Sequence, residues 1–136
     1  MAAKVRDIMT GSPTSVSPEL DLVTVARAMR DEEIGAVLVA DGDELMGLVT
    51  DRDLVIRGLA AGGDPKEAPV GRIASSATVT VGPDDTLDRA AQIMRERSVR
   101  RLPVIEDGRP VGIVTLGDLA RQGRTDSSRS NSSSVL

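Results

Sequence analysis

The chemistry available to this chain lies in two short signatures. Thr50-Asp51-Arg52-Asp53 and Thr115-Leu116-Gly117-Asp118 each set a hydroxyl three residues before a carboxylate, behind the aliphatic leads Gly47-Leu48-Val49 and Gly112-Ile113-Val114. A Thr with an acid three positions on is the pattern of a helix capping box, and Asp in a first helical turn is favoured by the helix dipole. The same pair can bind a ligand. A carboxylate at that place can accept two hydrogen bonds from a ribose cis-diol, while the hydroxyl and free helix amides suit phosphate. One residue can cap and bind at once, so spacing alone leaves both readings open.

Absences narrow the chemistry further. The 136 residues contain no Cys, no His and no Phe, Tyr or Trp. Thiolate nucleophiles, disulfides and thiolate metal sites are therefore excluded, as are imidazole bases and ligands. A ring-shaped ligand has no aromatic side chain to stack on and must be held by aliphatic walls and backbone. The net charge of −4 argues against nucleic acid, which calls for a basic footprint. The basic residues are 15 Arg against only Lys4 and Lys66, and Arg grips phosphate bidentately. No apolar run approaches the roughly 18 residues of a membrane span, and the opening Met1-Ala2-Ala3-Lys4 lacks a signal-peptide core, so a cytoplasmic address is expected.

The signatures recur because the whole chain is written twice. An offset of 65 residues carries Val5 onto Val70 and runs without a gap to Leu54 and Leu119. Identities along it include Ile8/Ile73, Val16/Val81, Pro18/Pro83, Leu22/Leu87, Met29/Met94, Gly47/Gly112, Thr50/Thr115 and Asp53/Asp118. Such a period marks a duplicated supersecondary unit. In each copy a short extended piece (Thr14 to Val16, Thr78 to Val81) leads to a helix expected to open at Pro18 or Pro83. Leu22, Val25, Ala26 and Met29 fall on one helical face, as do Leu87, Ala90, Ala91 and Met94. Two strands joined by Asp41-Gly42-Asp43 or Glu106-Asp107-Gly108 follow, and a closing helix begins near Asp51 or Leu116. The fold class is α/β (α+β), two β-α-β-β-α repeats. One such unit cannot cover its own apolar sheet face, so the copies are expected to pack as a pseudo-two-fold pair. The expected boundaries are residues 1–61 for the first repeat, 62–69 for a Gly-Gly-Asp-Pro linker, 70–122 for the second repeat and 123–136 for a disordered Ser-rich tail.

With those residues in place, the chain resembles a tandem pair of cystathionine-β-synthase (CBS) domains. The resemblance rests on the double Gly-h-h-Thr-x-x-Asp signature, on Val5-Arg6-Asp7-Ile8-Met9 and on Val99-Arg100-Arg101-Leu102-Pro103-Val104, and covers roughly residues 3–121. It implies a regulatory module, often a homodimer, whose two clefts take AMP, ADP, ATP or S-adenosylmethionine. Carried over residue by residue, Thr50 and Asp53 would serve one cleft and Thr115 and Asp118 the other. Each Asp would hold ribose hydroxyls, and each Thr ribose or phosphate. The segments Thr14–Val16, Ile34–Ala36, Thr78–Val79 and Val99–Arg101 would flank the adenine.

The copies diverge where ligand would sit. Arg100 and Arg101 align with Gly35 and Ala36, Arg52 with Gly117, and Asp51 with Leu116. The two arginines could clamp a phosphate, lie solvated or pair with nearby acids, and a single high-affinity nucleotide site is expected. The acidic run Asp31-Glu32-Glu33 reads as a solvated helix end, Met29/Met94 as core, and Asp41/Asp43 as turn chemistry rather than a calcium loop. No required cofactor and no metal is expected. The leading expectation is a ligand sensor acting on an unknown effector in trans; the alternative is a stress-related interaction protein with empty clefts. An enzyme is disfavoured, because the related inosine-monophosphate dehydrogenase reaction needs a catalytic Cys and a barrel domain.

Overall fold

The computed structural model describes residues 3–76 and 79–127. The chain is mixed α/β, with two sheets and five α-helices among those residues. The two long early helices, α2 (Leu22–Glu32) and α4 (Leu87–Arg97), bury most of the expected stripes, Leu22, Val25 and Met29 in one and Ala90 and Met94 in the other; Ala26 is exposed instead, and Ile93, outside the expected stripe, is buried. They do not open at the prolines. Asp21 caps α2 by accepting the Thr24 amide at 2.8 Å, and Thr86 caps α4 by accepting the Arg89 amide at 3.1 Å. Side chains that satisfy an orphan helix amide define the start more strongly than a proline four residues upstream. Pro18 and Pro83 instead sit in the preceding turns and offer their carbonyls elsewhere.

The chain divides into two compact units. The contiguous unit, Pro13–Thr78, holds a four-stranded sheet in the order β2-β3-β4-β5. Here β2 (Ser15–Val16) runs parallel to β3 (Ala36–Asp41), which forms an antiparallel hairpin with β4 (Glu44–Thr50), and β5 (Ser75–Ser76) closes the edge. The composite unit joins the residues up to Ser12 to those from Val79 on. Its sheet runs β1 (Thr10–Gly11), β7 (Arg109–Thr115), β6 (Arg101–Glu106). Asp107 and Gly108, both with positive φ, turn the β6–β7 hairpin, the backbone that matches the strand twist. Each unit has its own core: Val25, Met29, Val37, Val39 and Val49 in the contiguous unit, Met94, Leu102, Val104 and Val114 in the composite one.

The compact units are therefore not the sequence repeats. The opening segment of each copy packs into the other copy's unit. Val5, in the short helix α1 (Val5–Ile8), is wholly buried in the composite core, and the equivalent Val70, in a 3₁₀ turn (Val70–Arg72), is wholly buried in the contiguous core. The exchange is reciprocal in its hydrogen bonds. The Val5 and Arg6 amides donate to the carbonyls of Asp85 and Pro83, and the Val70 and Gly71 amides to those of Leu20 and Pro18. Strand β1 pairs with β7 (Thr10 opposite Ile113) and β5 with β4 (Ser75 opposite Leu48). A periodicity argument compares residues with their counterparts and carries no information on which copy they touch.

This exchange explains the signature glycines. A Cβ on Gly47 would lie 2.5 Å from the Ser75 carbonyl oxygen, and one on Gly112 would lie 2.5 Å from Met9 Sδ and 2.9 Å from the Thr10 carbonyl oxygen. The glycines admit the exchanged strands. The stretch expected as a linker is likewise docked, since the Leu22 amide is shared between the Pro65 and Ala68 carbonyls at 3.1 and 3.2 Å. After β4 the chain turns through α3 (Asp51–Asp53) into a π-helical segment (Leu54–Leu59), where Gly58 lies so close to Leu22 that a Cβ would fall 2.9 Å from Cδ1. Its counterpart α5 (Leu116–Ser127) continues past residue 123, where the tail was expected to begin. A nucleated helix extends at little cost per residue. The rest of the expected tail, 128–136, lies outside the described residues.

Candidate functional site

Each Thr/Asp signature sits where a hairpin strand ends and a helix begins, with the segment before the hairpin's first strand alongside. In the contiguous unit Ala36 pairs with Thr50, the Asp51 amide donates to the Gly35 carbonyl at 3.0 Å, and the Leu38 amide donates to the Thr14 carbonyl at 2.9 Å. Thr14, Gly35, Ala36, Thr50 and Asp51 thus share one end of the sheet. The composite unit repeats this with Arg101 opposite Thr115 and the Leu116 amide on the Arg100 carbonyl at 2.8 Å.

Both signatures form complete capping boxes. Asp53 Oδ2 accepts the Thr50 amide at 2.9 Å while Thr50 Oγ1 accepts the Asp53 amide at 3.1 Å. Asp118 Oδ2 accepts the Thr115 amide at 2.9 Å while Thr115 Oγ1 accepts the Asp118 amide at 3.0 Å. Capping engages one oxygen of each carboxylate. The expectation that free helix amides would meet phosphate needs correcting. In the first box Asp51 and Asp53 donate as above, and the Arg52 amide donates to Asp51 Oδ1 at 2.7 Å, so all three opening amides of α3 are engaged. In the second box only the Gly117 amide lacks a partner among the described residues.

The remaining carboxylate oxygens differ. No partner meets Asp53 Oδ1 among the described residues, whereas Asp118 Oδ1 accepts a charge-assisted hydrogen bond from the Arg121 guanidinium, three residues on along α5. Asp118 is 7% exposed and is the one charged residue in the described core; the Arg121 side chain is 67% exposed. Ile8, Asp118, Arg121 and Gln122 line a small pocket of about 220 Å³. The sequence reading missed Arg121. Its i,i+3 spacing from Asp118 on a helix was the available signal.

The other candidate residues divide. Arg100 is exposed and Arg101 half-buried, and neither guanidinium has an ion-pair or hydrogen-bond partner among the described residues, so the nearby-acid reading is not realised. Directly opposite residues in an antiparallel ladder share a face, which places Arg101 beside Thr115. Val16 and Ile34 pack onto the contiguous core, Val79 and Val99 onto the composite core, each half-buried. The Thr14 hydroxyl donates to Glu32 of the run expected to be solvated. Thr78 lies outside the described residues. A mainly apolar groove of about 540 Å³ runs between α2 and the π-helical segment, with Ala26, Leu54, Val55 and Leu59 in its wall, and reaches Ile34 and Asp51 at the first box.

Charge also fastens the exchanged N-terminal segment. Arg6 Nε donates to Asp84 at 2.9 Å and its Nη2 donates to Glu106 at 3.4 Å. The Arg6 hydrogen bond holds the Asp84 carboxyl below the usual carboxylate range, and Asp84 in turn raises Arg6. The Asp21 cap is held low by the Thr24 amide first and the Thr24 hydroxyl second.

Known proteins place this arrangement. The family model described as CBS domain matches twice, over residues 5–58 and 70–124. Hypoxic response protein 1 of Mycobacterium tuberculosis is 44% identical over 117 residues, covering 85% of this chain and 82% of that protein. A crystal structure of Hypoxic Response Protein I with two coordinated zinc ions superposes with a TM-score of 0.78 at 42% identity, covering 88% of this chain and 98% of that one. The CBS domain pair of protein MJ0100, in complex with 5′-methylthioadenosine and S-adenosyl-L-methionine, superposes with a TM-score of 0.81 over 93% of this chain and 100% of that one. Its identity is 23%, a likeness of fold alone.

Proposed function

The chain belongs to the CBS-domain family as two CBS domains in tandem, and from that premise we propose that it is a regulatory module, not an enzyme, whose ligand is an adenosyl nucleotide. The observation that carries the reading is the pair of Thr/Asp boxes at equivalent strand ends, each holding one carboxylate oxygen beyond those used in capping. A ribose cis-diol offers the two donors such a carboxylate takes. AMP, ADP, ATP and S-adenosylmethionine all present that diol. No cofactor is needed for such a role, and no catalytic residue is assigned. Zinc is not carried over from the relative, since imidazole and thiolate, the nitrogen and sulfur donors of zinc sites, do not occur in this sequence.

Signalling in this reading passes to an effector protein in trans, with the module acting as a homodimer. The exposed Val55, Ile56 and Leu59 beside the apolar groove support a helix-face contact between copies. A cytoplasmic address fits a nucleotide sensor; no helix of the described residues is long and apolar enough to cross a membrane.

A thermal-shift panel of AMP, ADP, ATP and S-adenosylmethionine tests the reading. A ligand at 100 times its Kd stabilises the fold by about 2.7 kcal/mol. Asp53→Ala or Asp118→Ala should weaken binding by roughly 1.5–3 kcal/mol, the range of a charged hydrogen bond. Loss of stability with unchanged affinity would mean that the boxes only cap helices. A second reading, a stress-related interaction protein with empty clefts, draws on the name of the 44% identical relative and on the completeness of the capping boxes. It predicts no shift with any member of the panel.

A further inference from the structure

Resting on the reading that the two boxes take nucleosides, we propose that Arg121 makes the Asp118 box selective for phosphorylated nucleosides and leaves uncharged ones to the Asp53 box. A diol must hydrogen-bond to a carboxylate oxygen that has room for it. Asp53 Oδ1 has that room among the described residues, and the position equivalent to Arg121 in its copy is Ile56, which carries no donor. Asp118 Oδ1 already holds the Arg121 guanidinium, and the carboxylate is buried. A neutral diol would have to displace an ion pair with a bond in which only the carboxylate is charged, and the arginine would gain no anion in exchange. The guanidinium–carboxylate bond joins two opposite charges at contact distance and the diol bond only one, so the exchange is unfavourable.

A phosphate changes the balance. It gives the guanidinium another anion to pair with, bidentately, and frees Asp118 for the sugar. The same box has Arg101 beside Thr115 and Arg100 next to it, both without partners among the described residues, and the unpartnered Gly117 amide. The Asp53 box has Gly35 and Ala36 at the arginine positions, and its three opening amides are engaged. The pocket at Asp118 and Arg121, about 220 Å³, falls below the roughly 300–1,000 Å³ of sites for drug-sized ligands and suits a phosphate or a sugar. Arg121, Arg101, Arg100 and a free amide thus stand at the Asp118 box, against Arg52 alone in the other signature, and at the Asp118 box the carboxylate is closed to anything that brings no phosphate.

Calorimetric titration of the full chain with adenosine and with AMP tests this, on the wild type, Arg121→Ile, Arg121→Gln and Asp118→Asn. Wild type should take one equivalent of adenosine and two of AMP. Arg121→Ile, which installs the first copy's residue, should raise adenosine affinity at the second box roughly tenfold or more, the worth of one charge-assisted hydrogen bond. Stoichiometry then rises to two, and AMP weakens at that box. Arg121→Gln should act in the same direction, which guards against a misfolded Ile variant. Asp118→Asn should delete the second AMP equivalent and leave adenosine binding intact. Two equivalents of adenosine on wild type, or Arg121 variants that titrate like wild type, overturn the selectivity while leaving the nucleotide reading standing. Failure of every protein to bind either compound overturns both.

Discussion

The Asp53 and Asp118 boxes are built alike to within 0.1 Å in both capping hydrogen bonds, yet their carboxylates are in opposite states. One keeps an oxygen open, with Gly35 and Ala36 on the neighbouring strand end and Ile56 three residues on; the other is closed by Arg121, with Arg100 and Arg101 at the equivalent strand positions. What the copies share is backbone: strand register, helix start, cap and the glycines under the exchanged strands. What separates them is side-chain charge at positions the backbone does not use. The fold constrains the frame of a site, and its charge is left to vary.

The comparison of the two units can be broken at their cores. Val5→Asp and Val70→Asp each place an unpaired charge at a fully buried position and should cost several kcal/mol. Hydrogen exchange should show Val5→Asp loosening α4, β6 and β7 first, and Val70→Asp loosening α2, β3 and β4. Loosening of the contiguous unit by Val5→Asp would refute the exchange of opening segments.

A smaller effect sharpens the same comparison. Gly47→Ala drives its Cβ against the Ser75 backbone, whereas Gly112→Ala meets first the flexible end of Met9. Both overpack, by about 1–3 kcal/mol, with Gly47→Ala the costlier in urea melts. Equal losses would mean that the Thr10 carbonyl, not Met9, sets the fit at Gly112.

The helix caps should separate the units by pH. Asp21→Ala and Thr86→Ala should each lower stability near neutrality, since each removes the side chain that caps a helix. Asp21 is held below the ordinary carboxylate value when folded, so its cap is fully present above the unfolded carboxylate value. Stability from it is lost as pH falls through the lower folded value. Thr86 does not titrate. Thermal melts from neutrality down to strongly acid pH should therefore find the Asp21→Ala penalty vanishing and the Thr86→Ala penalty persisting.

Much of this was legible in the residues. The offset that superposes Thr50 on Thr115 locates both boxes, and the stripes of Leu22, Val25 and Met29 and of Ala90 and Met94 locate the core helices. The helix starts were misplaced, because Pro18 and Pro83 are strong local signals while the capping of Asp21 and Thr86 shows only in where their side chains turn. Gly47 and Gly112 were legible as signature but not in purpose, since their reason lies in segments at least 28 residues away (Gly47 to Ser75). Arg121 was passed over because a surface arginine on a helix announces nothing until the carboxylate it faces proves to be buried.

By itself, then, the sequence determined the duplicated element order, the two capping boxes and the charge difference between them, because hydrophobic period, cap spacing and residue type are local properties. Only tertiary structure decided that Val5 packs into the second copy's core and Val70 into the first's, that the signature glycines exist for those crossings, and that Arg121 closes Asp118 while Asp53 stays open. Those outcomes depend on which distant segments occupy the same few ångströms, and identical local patterns leave that choice undetermined.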